Sequence, residues 1–329
     1  EFWADYEAAA KGDIPPGVAA KKPQAYDKTN PDTLRYLCQL YLKSAAFKKL
    51  ASSTKVVRRR VIDKVCEMHG DKPWRLLHRR AVILMRDQLA ERPEAANTII
   101  KALRQISANA LELGLIQPRD NPMLNVGLLP SNNPNGHHSW TIEEVDQFEE
   151  THPIGSKARL ALAIMMYGGC TRRSDVVLLG KQHQTKDGRL RYTQSKNRNL
   201  NPIEVDIPLI PEFKNILDAS PLGDMTYLVT EFKRPFTANG FGNRMRKWCD
   251  EAGLPQCSAH GVRKAAAARL AELGCTDHEI MAVGGWKTLK QVQLYTKGAR
   301  RRVMADHGMD KLSEDISGTK VSNLSGSGG

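Results

Sequence analysis

Six side chains, strung in order along the second half of this 329-residue sequence, could do chemistry together: Arg172, Lys196, His260, Arg263, Trp286 and Tyr295. Two guanidiniums present planar forks that match phosphate oxygens. A lysine and an imidazole can move protons, and a phenol can be a covalent nucleophile. An indole adds one N–H donor and an apolar wall. The group that calls for all of these at once is a phosphodiester, whose charge spreads over the equatorial oxygens when a fifth oxygen attacks. On a helix, His260 and Arg263 at i and i+3 share a face and can reach one phosphate. Singly, each has a plain structural reading. Arg172 and Arg263 read as surface charge, His260 as a capping or core histidine, Trp286 as packing, Tyr295 as an interface tyrosine and Lys196 as an exposed hairpin lysine. Their order and surroundings select chemistry.

The elements that must position them sit in a strongly basic chain. Lys and Arg number 49 against 36 acids, a net charge of +13. Residues 30–125 hold 18 basic and 9 acidic side chains, and 139–311 hold 26 and 20. An excess of that density over fewer than a hundred residues points to a polyanion. Arg58, Arg59, Arg60, Arg79, Arg80 and Arg104 are the candidate phosphate contacts of the first stretch, and Arg173 and Lys264 those of the second. The sequence is 41% hydrophobic, with no apolar run near the ~18 residues of a membrane helix, so no membrane partner is expected. The first residues lack the basic and apolar regions of a secretory signal. The six cysteines are scattered, without a CxxC pair, and free thiols in a reducing compartment are the simplest reading. There is no P-loop and no cluster of carboxylates at metal-ligand spacing, so no cofactor is expected. His137 and His138 could coordinate a metal in principle, but among Pro, Asn and Gly they read as a solvated loop.

Along the chain, residues 1–29 predict a mobile arm, broken by Pro15, Pro16 and Pro23. Residues 30–117 are helical throughout: Leu34, Leu37 and Tyr41, then Val57, Val61 and Val65, recur at helical spacing. Pro93 suits a helix start, and Ile99, Leu103, Ile106 and Ala110 form one face that Gly114 ends. Four helices result. Residues 118–138, with four prolines, read as a linker. Thr141 with Glu144 is a capping-box pattern that opens a second domain over 139–311. There a buried helix leads into Gly168, Gly169 and Arg172, strands are predicted at 189–193 and 203–207 with Asp187–Gly188 as hairpin turn, and helices follow Pro211. A Ser/Gly-rich tail at 312–329 reads as disordered.

Three segments of the second domain resemble the tyrosine site-specific recombinase, or phage integrase, family. Gly169, Cys170, Thr171, Arg172, Arg173, Ser174, Asp175 and the apolar run to Leu179 are similar to its first arginine box. His260-Gly-Val-Arg263 is similar to its His-x-x-Arg box. Gly284-Gly-Trp286, with Tyr295 nine residues on, is similar to its final box, and Lys196 matches its β-hairpin lysine, with Lys181 and Lys186 as nearby alternatives. The resemblance implies a mainly α fold with a small antiparallel sheet: an N-terminal four-helix core-binding domain and a mixed α/β catalytic domain. It implies that Tyr295 attacks phosphorus, giving a 3′-phosphotyrosine, while Arg172 and Arg263 clamp the phosphate, Lys196 protonates the leaving oxygen, and His260 assists proton transfer. Asp175 is expected to orient an arginine. The partners implied are double-stranded DNA and further copies in a homo-tetramer on paired sites, with an accessory DNA-bending protein left open. Residues after Tyr295, especially Arg300, Arg301 and Arg302, are expected either to dock on a neighbouring protomer or to form a basic helix packed in cis. A bacterial, nucleoid-associated cytoplasmic location follows. A type IB topoisomerase-like relaxing enzyme and a non-catalytic DNA-binding regulator of the same fold are the alternatives.

Overall fold

The computed structural model describes residues 30–324 apart from 134, 135, 197, 199 and 200, and the arm expected at 1–29 lies outside them. The chain divides into two compact units, Glu1–Pro134 and Asn135–Gly329.

The first unit is built on α1 (Leu34–Lys43), α2 (Ser52–His69), α3 (Arg79–Asp87) and α4 (Pro93–Glu112). Leu34, Leu37, Cys38 and Tyr41 recur every three or four residues on α1, so one stripe is apolar. That stripe packs on Ile62 and Val65 of α2, Val82 of α3, and Ile100, Leu103 and Ile106 of α4. Pro93 occupies the first turn of α4, where its missing N–H has no partner to lose. Gly114, at φ +70°, ends that helix, and Leu115 N–H bonds the Ala110 carbonyl in a left-handed cap. The core reaches past residue 117, the boundary expected from the prolines, because Met123 and Val126 bury in it. The Asn97 amide holds both backbone groups of Leu129 at 2.8 Å. Part of the expected linker is therefore packed against α4.

In the second unit, α5 (Ile142–Thr151) opens with the reciprocal Thr141–Glu144 capping box that the spacing predicts. Next comes α6 (Lys157–Tyr167), whose residues Leu160 to Met165 are all buried. β1 (Arg189–Thr193) pairs antiparallel with β2 (Glu204–Pro208), with Tyr192 opposite Val205. α7 (Pro211–Ala219), α8 (Ala238–Glu251), α9 (Ala259–Glu272), α10 (Asp277–Gly284) and α11 (Leu289–Leu324) follow. The main core joins α6 to the sheet and to Phe213, Tyr227, Phe241, Trp248 and Val262. A smaller cluster of Cys170, Ala266, Ala267, Ile280, Trp286 and Val292 joins α9, α10 and the start of α11. Burial of Ile280 and Val292 is worth about 1.5–3 kcal/mol each.

Two local expectations change. The Asp187–Gly188 turn closes a bridge between Gln184 and Leu190, and Gly188 has φ +74°. The link between β1 and β2 is instead the segment 194–203, which carries Lys196. Of the tail expected to be disordered over 312–329, residues 325–329 lie outside the described residues, and those up to Leu324 continue α11. Once its first turns are anchored, each added residue gains a hydrogen bond without a new nucleation cost. Among the described residues no helix is long and apolar enough to cross a membrane.

Candidate active site

Arg172 caps a single helical turn, Arg173–Val176, and comes to its place through an unusual backbone. Gly169 and Cys170 both take left-handed angles, φ +87° and +47°. A Cβ at Gly169 would lie 2.8 Å from the Val283 carbonyl oxygen and 2.9 Å from Val205 Cγ1, so only glycine lets this turn lie against the sheet and α10. Thr171 Oγ1 donates to the Ile164 carbonyl at 2.9 Å, and Tyr192 hydroxyl donates to the Gly168 carbonyl at 3.0 Å. The turn that presents Arg172 is thus pinned from α6 and from β1.

Arg263 is 3% exposed. Its Nη1 donates to the Cys170 carbonyl, and its Nη2 to the Gly284 carbonyl at 3.0 Å. Burial, and then the positive charge of Arg172, push its pKa down to about 10, which leaves it charged near neutrality. The Trp286 ring lies 4.1 Å from the guanidinium carbon, a cation–π contact. Gly284 permits that approach, since a Cβ there would sit 1.8 Å from the Trp286 ring. Trp286 also faces the Tyr295 ring at 5.8 Å. Tyr295 stands half-buried on α11, where Val292 and Thr296 are fully buried.

Lys196 is exposed on the segment leaving β1. The residue before it, Ser195, is held through N–H (2.8 Å) and Oγ by Asp175 Oδ1. Asp175 is 2% exposed, and its Oδ2 is buried without a hydrogen-bond partner among the described residues. Asp175 therefore positions the Lys196 turn, not an arginine as expected. The arginine's anchor is Gln194, which no motif singled out: its Oε1 accepts from Arg172 Nη1, and its Nε2 donates to the Gly284 carbonyl at 2.9 Å.

His260 opens onto the same space. Lost hydration comes first, then the nearby His137, Lys264, Arg263 and Arg172, in pushing its pKa down to about 4. It is neutral near pH 7 and can accept a proton. His137 is exposed on an irregular segment, as the loop reading expects, and beyond that reading its ring packs 4.7 Å from that of His260 and its carbonyl accepts from Lys264 Nζ at 2.6 Å. One cleft of about 530 Å³ is lined by Arg172, Lys196, His260, Arg263, Trp286 and Tyr295, together with Arg173 and His137. Residues up to 158 positions apart in sequence thus converge.

The comparisons with known proteins bear on this cleft. Residues 141–302 match the model of the phage integrase family. The second unit belongs to the phage integrase family, the tyrosine site-specific recombinases. No curated protein matches the sequence. Among solved structures, a lambda integrase dimer bound to a core site is 19% identical with a TM-score of 0.69, covering 80% of this chain and 95% of that one. A lambda integrase tetramer bound to a Holliday junction is 20% identical (TM-score 0.67; 83% and 81% covered). The Tn1549 transposon integrase in complex with transposon right end DNA is 16% identical (TM-score 0.64; 82% and 98% covered). At these identities the likeness is one of fold.

The remaining candidates differ in surroundings. Arg59, Arg60 and Arg80 are exposed. Arg58 donates to the Tyr41 hydroxyl at 3.3 Å and Arg79 to the Asn125 carbonyl at 3.4 Å. Arg104 is half-buried and donates to the Val126 carbonyl, so it serves the packing of that segment. Arg173 Nη2 reaches Asn239 Oδ1 at 3.3 Å, beside Gly242 of α8. The missed residues, Gln194 and His137, act through contacts distant in sequence that no local spacing announces.

Proposed function

We propose that this chain is a site-specific DNA recombinase that cuts and rejoins duplex DNA through a 3′-phosphotyrosine on Tyr295. The observation that carries the reading is the convergence of two guanidiniums, a lysine, a neutral imidazole and a phenol on one cleft. Arg263, fixed in its plane by two carbonyls, and Arg172, fixed by Gln194, offer remaining N–H groups to the non-bridging oxygens as charge builds on them. Tyr295 oxygen attacks phosphorus, and its proton passes to His260, which is uncharged near neutrality. The phosphorus–5′-oxygen bond breaks, and Lys196 donates the proton that makes a 5′-hydroxyl. Trp286 holds Arg263 from below and screens the phenol from water. The phosphotyrosine keeps the energy of the broken bond, so an incoming 5′-hydroxyl reverses the steps without ATP.

The basic four-helix unit supplies sequence-independent phosphate contact through Arg59, Arg60 and Arg80. Assembly of four protomers on paired sites is supported by the fold shared with the lambda integrase solved as a tetramer on a Holliday junction. Recovery of covalent protein–DNA adducts from cells that express the chain tests the reading. Adducts with ends at one recurrent sequence, absent from Tyr295→Phe, are expected. Adducts scattered over unrelated sequences would instead indicate a relaxing enzyme, and DNA retained without any adduct a regulator.

A further inference from the structure

Outside the cleft, three side chains of different chemistry meet where three stretches of chain converge. His138 follows the cleft-lining His137, Glu144 lies in the first turn of α5, and Cys257 precedes α9. An imidazole nitrogen, a carboxylate oxygen and a thiol sulfur from these residues all lie within 4.8 Å of one another. His138 Nε2 is 2.7 Å from Glu144 Oε2, and the Cys257 thiol also bonds the Glu144 carboxylate. Cys257 is fully buried, Glu144 half-buried and His138 exposed, so the cluster is closed on the sulfur side and open on the imidazole side. Gln256 Nε2 at 2.7 Å and Thr141 N–H at 2.8 Å fix the carboxylate from outside, as outer hydrogen bonds do for metal ligands.

We propose that His138 Nε2, the Glu144 carboxylate and Cys257 Sγ form a binding site for a thiophilic divalent cation of the zinc type. Sulfur with imidazole selects against magnesium and calcium, which take oxygen ligands. Zinc ligands stand about 2.0–2.3 Å from the ion and hence roughly 3–4 Å apart, so the widest separation must close by roughly 1–2 Å. On binding, Cys257 gives its thiol proton to solvent, and the His138 ring proton, which Nε2 donates to Glu144 without the ion, moves to Nδ1 so that Nε2 is free to ligate. A thiolate and a carboxylate then neutralise the dication, with no change of oxidation state, and water from the open side completes a tetrahedron.

The ion would clamp residues 137–140 to the start of α9, the helix that carries His260 and Arg263. Those segments already touch: Trp140 Nε1 donates to the Ser258 carbonyl at 3.0 Å, and a Cβ at Gly261 would lie 2.2 Å from the His138 carbonyl oxygen.

Titration of the metal-stripped full chain with Co²⁺, followed by displacement with Zn²⁺, tests the site. One equivalent of cobalt should give a thiolate-to-cobalt charge-transfer band that is lost in Cys257→Ser. Affinity should fall at least about 10- to 100-fold in His138→Ala and in Glu144→Gln, the range seen even for outer-sphere partners. Zinc should raise the Tm of the parent chain and not that of His138→Ala. A thiolate band that persists in Cys257→Ser, or no thiolate band at any cobalt concentration, would overturn the proposal. Should Cys257→Ser fail to fold, His138→Ala decides, since its side chain is exposed: unchanged cobalt affinity there overturns the site.

Discussion

At the residue scale, the proposed cleavage depends on His260 as proton acceptor. Its pKa of about 4 lies below the ordinary histidine value near 6.5, because the cleft strips water from it and surrounds it with positive charge. A proton acceptor must be neutral, and in the DNA-free cleft the imidazole stays so as pH falls through 6. The imidazole resonances of His260 in the DNA-free chain should therefore titrate well below 6; a midpoint at or above 6.5 would contradict the environment described. The unfolded chain takes up this proton first, so His260 also withdraws folding stability as pH falls from about 6.5 towards 4. Loss of a positioned acid–base group costs about 10²–10⁴-fold in rate. His260→Ala should thus slow single-turnover cleavage by that order and more than Trp286→His, whose ring mainly supports Arg263. Equal and negligible losses in the two variants would remove His260 from its role. The six site residues could be named in the sequence because each sits in a short local pattern. Gln194 and His137 could not, since their importance lies in contacts 90 and 123 residues away, to Gly284 and His260.

At the element scale, the turn after β1 is the device that delivers Lys196, and Asp175 is its fastening. Lys196→Ala should cleave slowly on an ordinary site and recover on one whose 5′-bridging oxygen is sulfur. A thiolate, with a thiol pKa near 8.5, leaves without a donated proton. Asp175→Asn weakens the bonds to Ser195 and should show a smaller loss with the same recovery. A defect that sulfur leaves untouched would mean that Asp175 does not act through Lys196. The glycine turn before Arg172 makes a second test, because Gly169→Ala forces a Cβ into contact at positive φ and should lower stability by about 1–3 kcal/mol, read as a fall in Tm. Helices with one apolar stripe, such as α1 and α4, and the Thr141–Glu144 box were legible, because periodicity and capping are local. The ends of elements were less so. Met123 and Val126 hide among prolines yet pack on α4, and the Asp187–Gly188 turn serves a bridge to Gln184.

At the scale of the whole molecule, the basic excess should act on DNA of any sequence. Arg59→Ala with Arg60→Ala should weaken duplex binding and flatten its salt dependence by roughly 0.9 in log–log slope for each phosphate contact removed. Unchanged slope would take these residues out of the interface. The charge was legible from composition, but the target sequence is not, since phosphate contacts position a protein without reading bases. The most direct test of the central claim is mass spectrometry of the trapped protein–DNA adduct after digestion of both partners. The account predicts a nucleotide joined through its 3′-phosphate to the peptide that carries Tyr295, together with a free 5′-hydroxyl on the released strand. A nucleotide on any other side chain, or a 5′-phosphate on the released strand, would contradict it.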